Sequence, residues 1–255
     1  MSKEVKGLFI VIDPDRICEL RNYDLSQIMT SVRWIPKRLH KPLHESLKFK
    51  GKIFLDCGIF QLLRRKLTRD FLLRYREKLI KLYNLLRPDI ASSLDIPFSL
   101  TSSDSEVHQR IRWTIQNYKY MREKIDPNIK LVMGICAYNS SHINVIRKQI
   151  RKLDPTIIGL GGQVPLIRKE KPQYGKITLH VVNTLRKNFP DKSIHVYGAG
   201  DILWYGLIRL AGADSSDFAS YIGHSFQGKI YIPGSQAKFV HLSLIHISEP
   251  TRPLY

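Results

Sequence analysis

Seven short apolar runs punctuate the chain, at residues 8–12, 52–55, 90–94, 130–135, 156–160, 193–197 and, more polar than the rest, 215–219. Most are apolar on both faces, so each must be covered from two sides, as a parallel strand is and a half-wet hairpin strand is not. Parallel neighbours need crossover connections of a dozen residues or more, and the intervals supply them. The stretch 68–86 opens on Thr68 as N-cap, sets Phe71, Leu72, Tyr75, Leu79, Leu82, Tyr83 and Leu86 on one stripe, and stops at Arg87-Pro88. A second helix starts at the capping box Ser103 to Glu106 and turns Val107, Ile111, Ile115 and Tyr118 inward. Others are expected over about 142–153, 176–188 and 201–210. With no GxGxxG fingerprint to mark a doubly wound sheet, the pattern predicts an α/β fold, an irregular (β/α)8 TIM barrel, as one domain over residues 1–241.

Residues 242–255 fall outside that pattern. The segment LSLIHISEPTR at 242–252 resembles the translation of a common sequencing-library adapter, so a tail foreign to the fold and a barrel truncated at its carboxyl end are expected. No apolar run reaches the roughly 18 to 20 residues of a membrane span, and the amino end lacks a signal-peptide core, which predicts a cytoplasmic chain with no membrane partner. Cys18, Cys57 and Cys136 lie far apart without a CxxC pair, so neither a disulfide framework nor a zinc cluster is indicated.

Charge narrows the partner. Lys and Arg number 41 against 22 Asp and Glu, a formal net charge of +19. The surplus gathers at 33–41, at 64–66 with Arg69, Arg74 and Arg76, at 147–152 and at 168–176, in places with Trp or Tyr among the cations. Clustered cations interleaved with aromatics favour nucleic acid over an anionic membrane surface.

In a barrel of this kind chemistry gathers where strands end. The runs end in Asp56-Cys57-Gly58-Ile59-Phe60-Gln61, in Asp95-Ile96-Pro97, in Gly161-Gly162-Gln163 and in Gly198-Ala199-Gly200-Asp201; the last run holds Asp214-Ser215-Ser216-Asp217. Three or four carboxylates at one mouth of so basic a chain are either ion-pair partners or reagents. Asp104 and Asp201, at helix starts, read as caps. Cys57 and Cys136, with no adjacent His, read as packing, and His195, alternating with apolar residues, as a satisfied core or shell histidine.

The strings FLDCGIFQ, SLDIPFSLTSSD, IIGLGGQVPL, HVYGAGD and GADSSDFASY, in this order across residues 52–234, resemble the tRNA-guanine transglycosylase family, with its archaeosine-type and DNA-modifying 7-deazaguanine branches closest. The resemblance implies a pentosyltransferase that replaces guanine in tRNA by a free 7-deazaguanine base of the queuosine and archaeosine type, with Asp217 as nucleophile and Asp56 as general acid/base. Asp95 would bind the base edge, Gly161 and Gly162 would offer backbone amides, and Phe60 and Gln61 would line the pocket. No cofactor is implied for the chemistry. A structural zinc would belong to the full-length protein, its ligands falling beyond the point where the tail begins. The segment Gly134-Ile135-Cys136-Ala137 stands where the family carries a base-contacting glutamine, and the part before Asp56 is short, which leans toward the DNA-modifying branch.

Those roles suit the residue types. Cleaving an N-glycosidic bond builds oxocarbenium-like charge at the sugar, which one carboxylate can stabilise and then trap covalently. A second carboxyl can protonate the departing base and deprotonate the incoming one. A third, accepting from a guanine edge, rejects adenine. The base must leave its stack to be reached. Alternatives are the same exchange on DNA, a noncatalytic nucleic-acid-binding paralogue, and a barrel lyase or aldolase acting on a phosphorylated small molecule; a homodimer stays open. The lyase requires a Lys in the mouth, and none is well placed.

Overall fold

The computed structural model describes residues 5–14, 25–62, 67–164, 172–199 and 202–219, with two short strand pieces, Lys229–Ile230 and Lys238–Phe239. The adapter-like tail, Cys18, Gly200, Asp201, the cations at 64–66 and residues 168–171 of the last cationic run lie outside the described residues. Eight parallel strands close into a barrel: β1 (Gly7–Val11), β2 (Gln27–Ser31), β3 (Lys52–Asp56), β4 (Ile90–Ser92), β5 (Lys130–Cys136), β6 (Ile157–Gly161), β7 (Ser193–Val196) and β8 (Ser215–Phe218), with β8 pairing back onto β1 through Phe9 and Asp217. The ring is therefore complete where seven runs had promised a gap. The added strand is β2, whose QIMTS carries Gln27, Thr30 and Ser31 and so offers no continuous apolar run to find.

Helices α1 (Leu43–Leu47), α2 (Arg69–Leu86), α3 (Asp104–Lys124), α4 (Ser140–Leu153), α5 (Pro172–Asn188) and α6 (Ile202–Leu210) pack outside the strands. Local chemistry sets their ends. The hydroxyl of Thr68 accepts from the Phe71 amide, and α2 stops at Arg87, which takes a left-handed conformation (φ 46°) ahead of Pro88. Ser103, and not Asp104, caps α3 by accepting from the Glu106 amide; Asp104 sits in the first turn, where its charge meets the positive helix end.

Two cores result. One lies between strands and helices, where Tyr83 is fully buried and its hydroxyl donates to the Ser92 carbonyl at 2.8 Å. The other fills the barrel with Phe9, Phe54, Met29, Ile90, Val132 and Ile157, and His195 sits among its rings, 4.9 Å from Phe54 and 5.9 Å from Phe9 by centroid. Among the described residues the interior is packed, which leaves the carboxyl ends of the strands as the place for a ligand. Among the described residues no helix is long and apolar enough to cross a membrane.

Candidate active site

Strand alternation brings Asp56 to the inner rim at the end of β3, and its Oδ2 accepts from the Gly58 amide at 2.9 Å. The Ser92 hydroxyl also bonds this carboxylate and pairs with the Tyr197 hydroxyl at 2.7 Å. Burial, opposed by those hydrogen bonds and reinforced by the charge of Asp217, raises the Asp56 carboxyl to about 6. A carboxyl poised there can give or take a proton near neutrality.

Asp95 follows β4 and is 8% exposed. Its segment is pinned from α3, where the Thr114 hydroxyl accepts from the Ile96 amide at 2.9 Å and the Asn117 amide donates to the Leu94 carbonyl at 3.2 Å. Both are buried polar residues on the face expected to carry only apolar contacts. Room for the carboxyl comes from glycine: a Cβ on Gly134 would lie 3.1 Å from the Asp95 Cβ, and one on Gly161 would lie 3.1 Å from its Oδ2. Burial first, and the Asp56 charge second, lift Asp95 to about 7. The Cys57 thiol points at Oδ1 from 3.8 Å, and burial holds its pKa well above the ordinary thiol value, leaving it a packing thiol and no nucleophile.

Asp217, 7% exposed on β8, accepts at Oδ1 from the Gly198 amide at 2.7 Å. Gly198 adopts φ +68°, a left-handed conformation that aims this amide into the mouth. Behind Oδ1 stands Nε2 of His195 at 3.4 Å, close enough for an ion pair yet too poorly aligned for a hydrogen bond; Nδ1 pairs with the Ser215 hydroxyl at 2.9 Å. His195 was expected to be a satisfied core or shell histidine. It is fully buried, but one ring nitrogen is left for Asp217. The sequence signal was its place two residues before Tyr197 on a strand whose next turn holds Gly198.

Asp56, Asp95 and Asp217 thus share one mouth, close enough that Asp217 raises Asp56 and Asp56 raises Asp95. Asp214 does not join them: at the opposite end of β8 it pairs with Arg186 and accepts from the Ile194 amide at 2.8 Å, a structural anchor. Phe60 and Gln61 ride the 3-10 turn Ile59–Leu62 at the rim, Phe60 52% exposed. Gly161 ends β6 against Asp95, and Gly162 (φ +78°) lies beside Tyr138, whose hydroxyl is 3.4 Å from its carbonyl. Gln163 is spent on structure, its amide donating to the Ala137 and Gly161 carbonyls and accepting from Thr178. Among the described residues no three His, Cys, Asp or Glu side chains cluster as metal ligands, and Cys57 and Cys136 are buried on separate partners, so these residues do not fit a zinc site.

Over residues 23–254 the sequence matches the family described as queuine tRNA-ribosyltransferase. Similar proteins include the tRNA-guanine(15) transglycosylase of Pyrococcus furiosus, 25% identical over 86% of this chain and 36% of that protein. That of Nanoarchaeum equitans is 28% identical over 90% of this chain and 56% of its own length. That of Methanosphaera stadtmanae is 28% identical over 77% of this chain and 28% of its own length. The chain thus covers between 28% and 56% of these relatives.

Proposed function

Since the chain belongs to the queuine tRNA-ribosyltransferase family, we propose that it exchanges a guanine base within tRNA for a free 7-deazaguanine base, through a covalent link between Asp217 and the sugar. The observation that carries this is the convergence of three carboxyl groups from β3, β8 and the loop after β4 on one buried mouth. A mouth whose three acids have, among the described residues, no Lys or Arg partner can stabilise positive charge at a sugar carbon.

Each residue has a task. With Oδ1 held by Gly198 N–H, Asp217 presents Oδ2, which makes no hydrogen bond among the described residues, to C1′. As the C1′–N9 bond of guanosine breaks, an O–C1′ bond to Asp217 forms, and Asp56 delivers the proton that the departing guanine requires. The incoming base then surrenders its proton to Asp56 and displaces Asp217 from C1′. The glycosidic energy stays in the ester, so no nucleotide cofactor is needed. Asp95, when ionised, accepts from the ring N–H and exocyclic amine of either base; adenine would leave it unpaired at a cost of ~1–3 kcal/mol. His195 holds the ring behind Oδ1 and opposes rotation of the nucleophile.

The test is incorporation of labelled guanine into a tRNA transcript, with duplex DNA in parallel. Label in tRNA supports the proposal, label in DNA alone replaces the substrate, and label in neither with intact binding leaves a noncatalytic binder.

A further inference from the structure

A concavity opens at the same end of the barrel as the three acids. It is a groove of about 300 Å³ lined by Arg33, Leu62, Phe71, Arg74, Tyr75 and Lys78. Its position follows from the topology. Arg33 comes just after β2, Leu62 just after β3, and the N-terminal half of α2 must lie at the carboxyl ends of the strands because its other end returns to start β4. Phe71, Arg74, Tyr75 and Lys78 are spaced i, i+3, i+4 and i+7, one stripe of the helix. The burial expected of Phe71 from its periodicity is only partial, and its ring stacks on that of Tyr75 at 5.8 Å and 9° to form a flat apolar ledge.

The groove is wired to the mouth. The Tyr75 hydroxyl donates to the Cys57 carbonyl at 2.5 Å and is bonded by the Arg33 guanidinium. The stem of Arg33 lies on Gly58, where a Cβ would come within 2.8 Å of its Cγ. Gly58 is also the residue whose amide holds Asp56. One turn of backbone, Asp56 to Gly58, is thus the wall between the acids on one side and three cations on the other. Arg33, Arg74 and Lys78 have no carboxylate partner among the described residues, while their neighbours Arg76 and Glu77 pair with each other at 3.3 Å.

A base drawn out of its stack into the acidic mouth leaves its own phosphates outside, beside negative charge that repels them. Unpaired cations with an aromatic ledge, one backbone turn away, offset that repulsion and give an unstacked neighbour a surface to lie on. We propose that this groove seats the polynucleotide strand flanking the exchanged guanosine, Arg33, Arg74 and Lys78 holding its phosphodiesters and Phe71 with Tyr75 supporting an adjacent base or sugar. The proposal rests on the exchange reaction above for its substrate. By the same topology the 147–152 cationic run, on the carboxyl half of α4, faces the opposite end of the barrel and serves as its control.

The experiment measures affinity for a short single-stranded RNA carrying the target guanosine across a salt series. Three versions of the full chain are compared: unmodified, R33A/R74A/K78A, and K148A/R151A/K152A, which loses equal charge at the far end. Each phosphate contact contributes about 0.7 to the slope of log affinity against log salt for single strands, so the groove variant should lose about 2 from the slope and the control essentially nothing. The pair R74A/K78A, which leaves Arg33 on the Asp56 turn, should lose about 1.4 and guards against a folding defect. An unchanged slope in the groove variants, or an equal loss in the control, overturns the assignment. Guanine incorporation separates the two proposals. Incorporation with no groove-dependent slope sinks the groove alone, whereas a groove-dependent slope without incorporation sinks the exchange reaction and leaves the groove standing.

Discussion

Asp95→Asn should make the protein more stable and far weaker in binding guanine. In the unfolded chain this carboxyl releases its proton near 3.8; in the fold, burial and the Asp56 charge hold it to about 7. Between those values the folded state carries the extra proton, so stability is highest below about 4, declines as pH rises, and has lost its full share above 7. Roughly three pKa units at 1.36 kcal/mol each is a loss of about 4 kcal/mol. Asparagine keeps the shape and has no proton to release, so the variant should exceed the parent by up to about 4 kcal/mol near pH 8, the gap closing toward pH 4. For a chain of this length that is a rise in Tm on the order of 10 °C. Urea unfolding of both proteins across the pH range reads the gap directly. The amide meanwhile turns an acceptor into a donor against the base N–H, and guanine affinity should fall about 100-fold. Parallel loss of stability in the two proteins between pH 4 and 8 would refute the assignment of Asp95 as the buried titrating group.

Three further outcomes follow from single contacts. Asp217→Asn should abolish the denaturant-stable adduct with RNA on a gel and cut base exchange by about 10³-fold or more while RNA affinity is retained. His195→Phe keeps the ring contacts with Phe9 and Phe54 but removes the nitrogen behind Asp217; kcat should fall roughly tenfold with the KM for free guanine unchanged, and His195→Gln should recover part of it. Gly161→Ala places a methyl 3.1 Å from Oδ2 of Asp95, and calorimetry should show guanine binding weakened by about tenfold with Tm little altered.

The barrel was legible because parallel strands covered on both faces leave continuous apolar runs, and the three acids could be singled out because Asp56 and Asp95 follow such runs and Asp217 lies within the last one. β2 was hidden by Gln27, Thr30 and Ser31: Gln27 donates to the Lys6 and Leu8 carbonyls, Ser31 accepts from the Arg33 amide, and the Thr30 hydroxyl is buried with no hydrogen-bond partner among the described residues. Thr114 and Asn117 escaped for the converse reason: a helix stripe is recognised by apolar spacing, and two polar residues within it read as interruptions until the loop they hold, 94–96, is seen beside them. The face His195 presents could not be told from spacing, since both faces of β7 are buried. Asp214 and Asp217 differ by less than one strand length in sequence but lie at opposite ends of β8, so one anchors Arg186 and the other enters the mouth.

Glycine shows the deeper reason why the site is only half visible in sequence. A glycine announces itself through backbone conformations that other residues rarely tolerate, and Gly58, Gly162 and Gly198 all have positive φ, Gly162 among them expected to offer its amide. Gly134 and Gly161 have no positive φ; they sit in regular strands, where glycine weakens the ladder. Their use is the volume they leave vacant, because the Asp95 carboxyl lies across both of them, and a side chain on either would push it from the position where burial lifts its pKa. A buried carboxyl at this place in a parallel barrel therefore requires the two strands beyond its own to give up their side chains, a relation between residues 95, 134 and 161 that only the pairing order β4-β5-β6 creates.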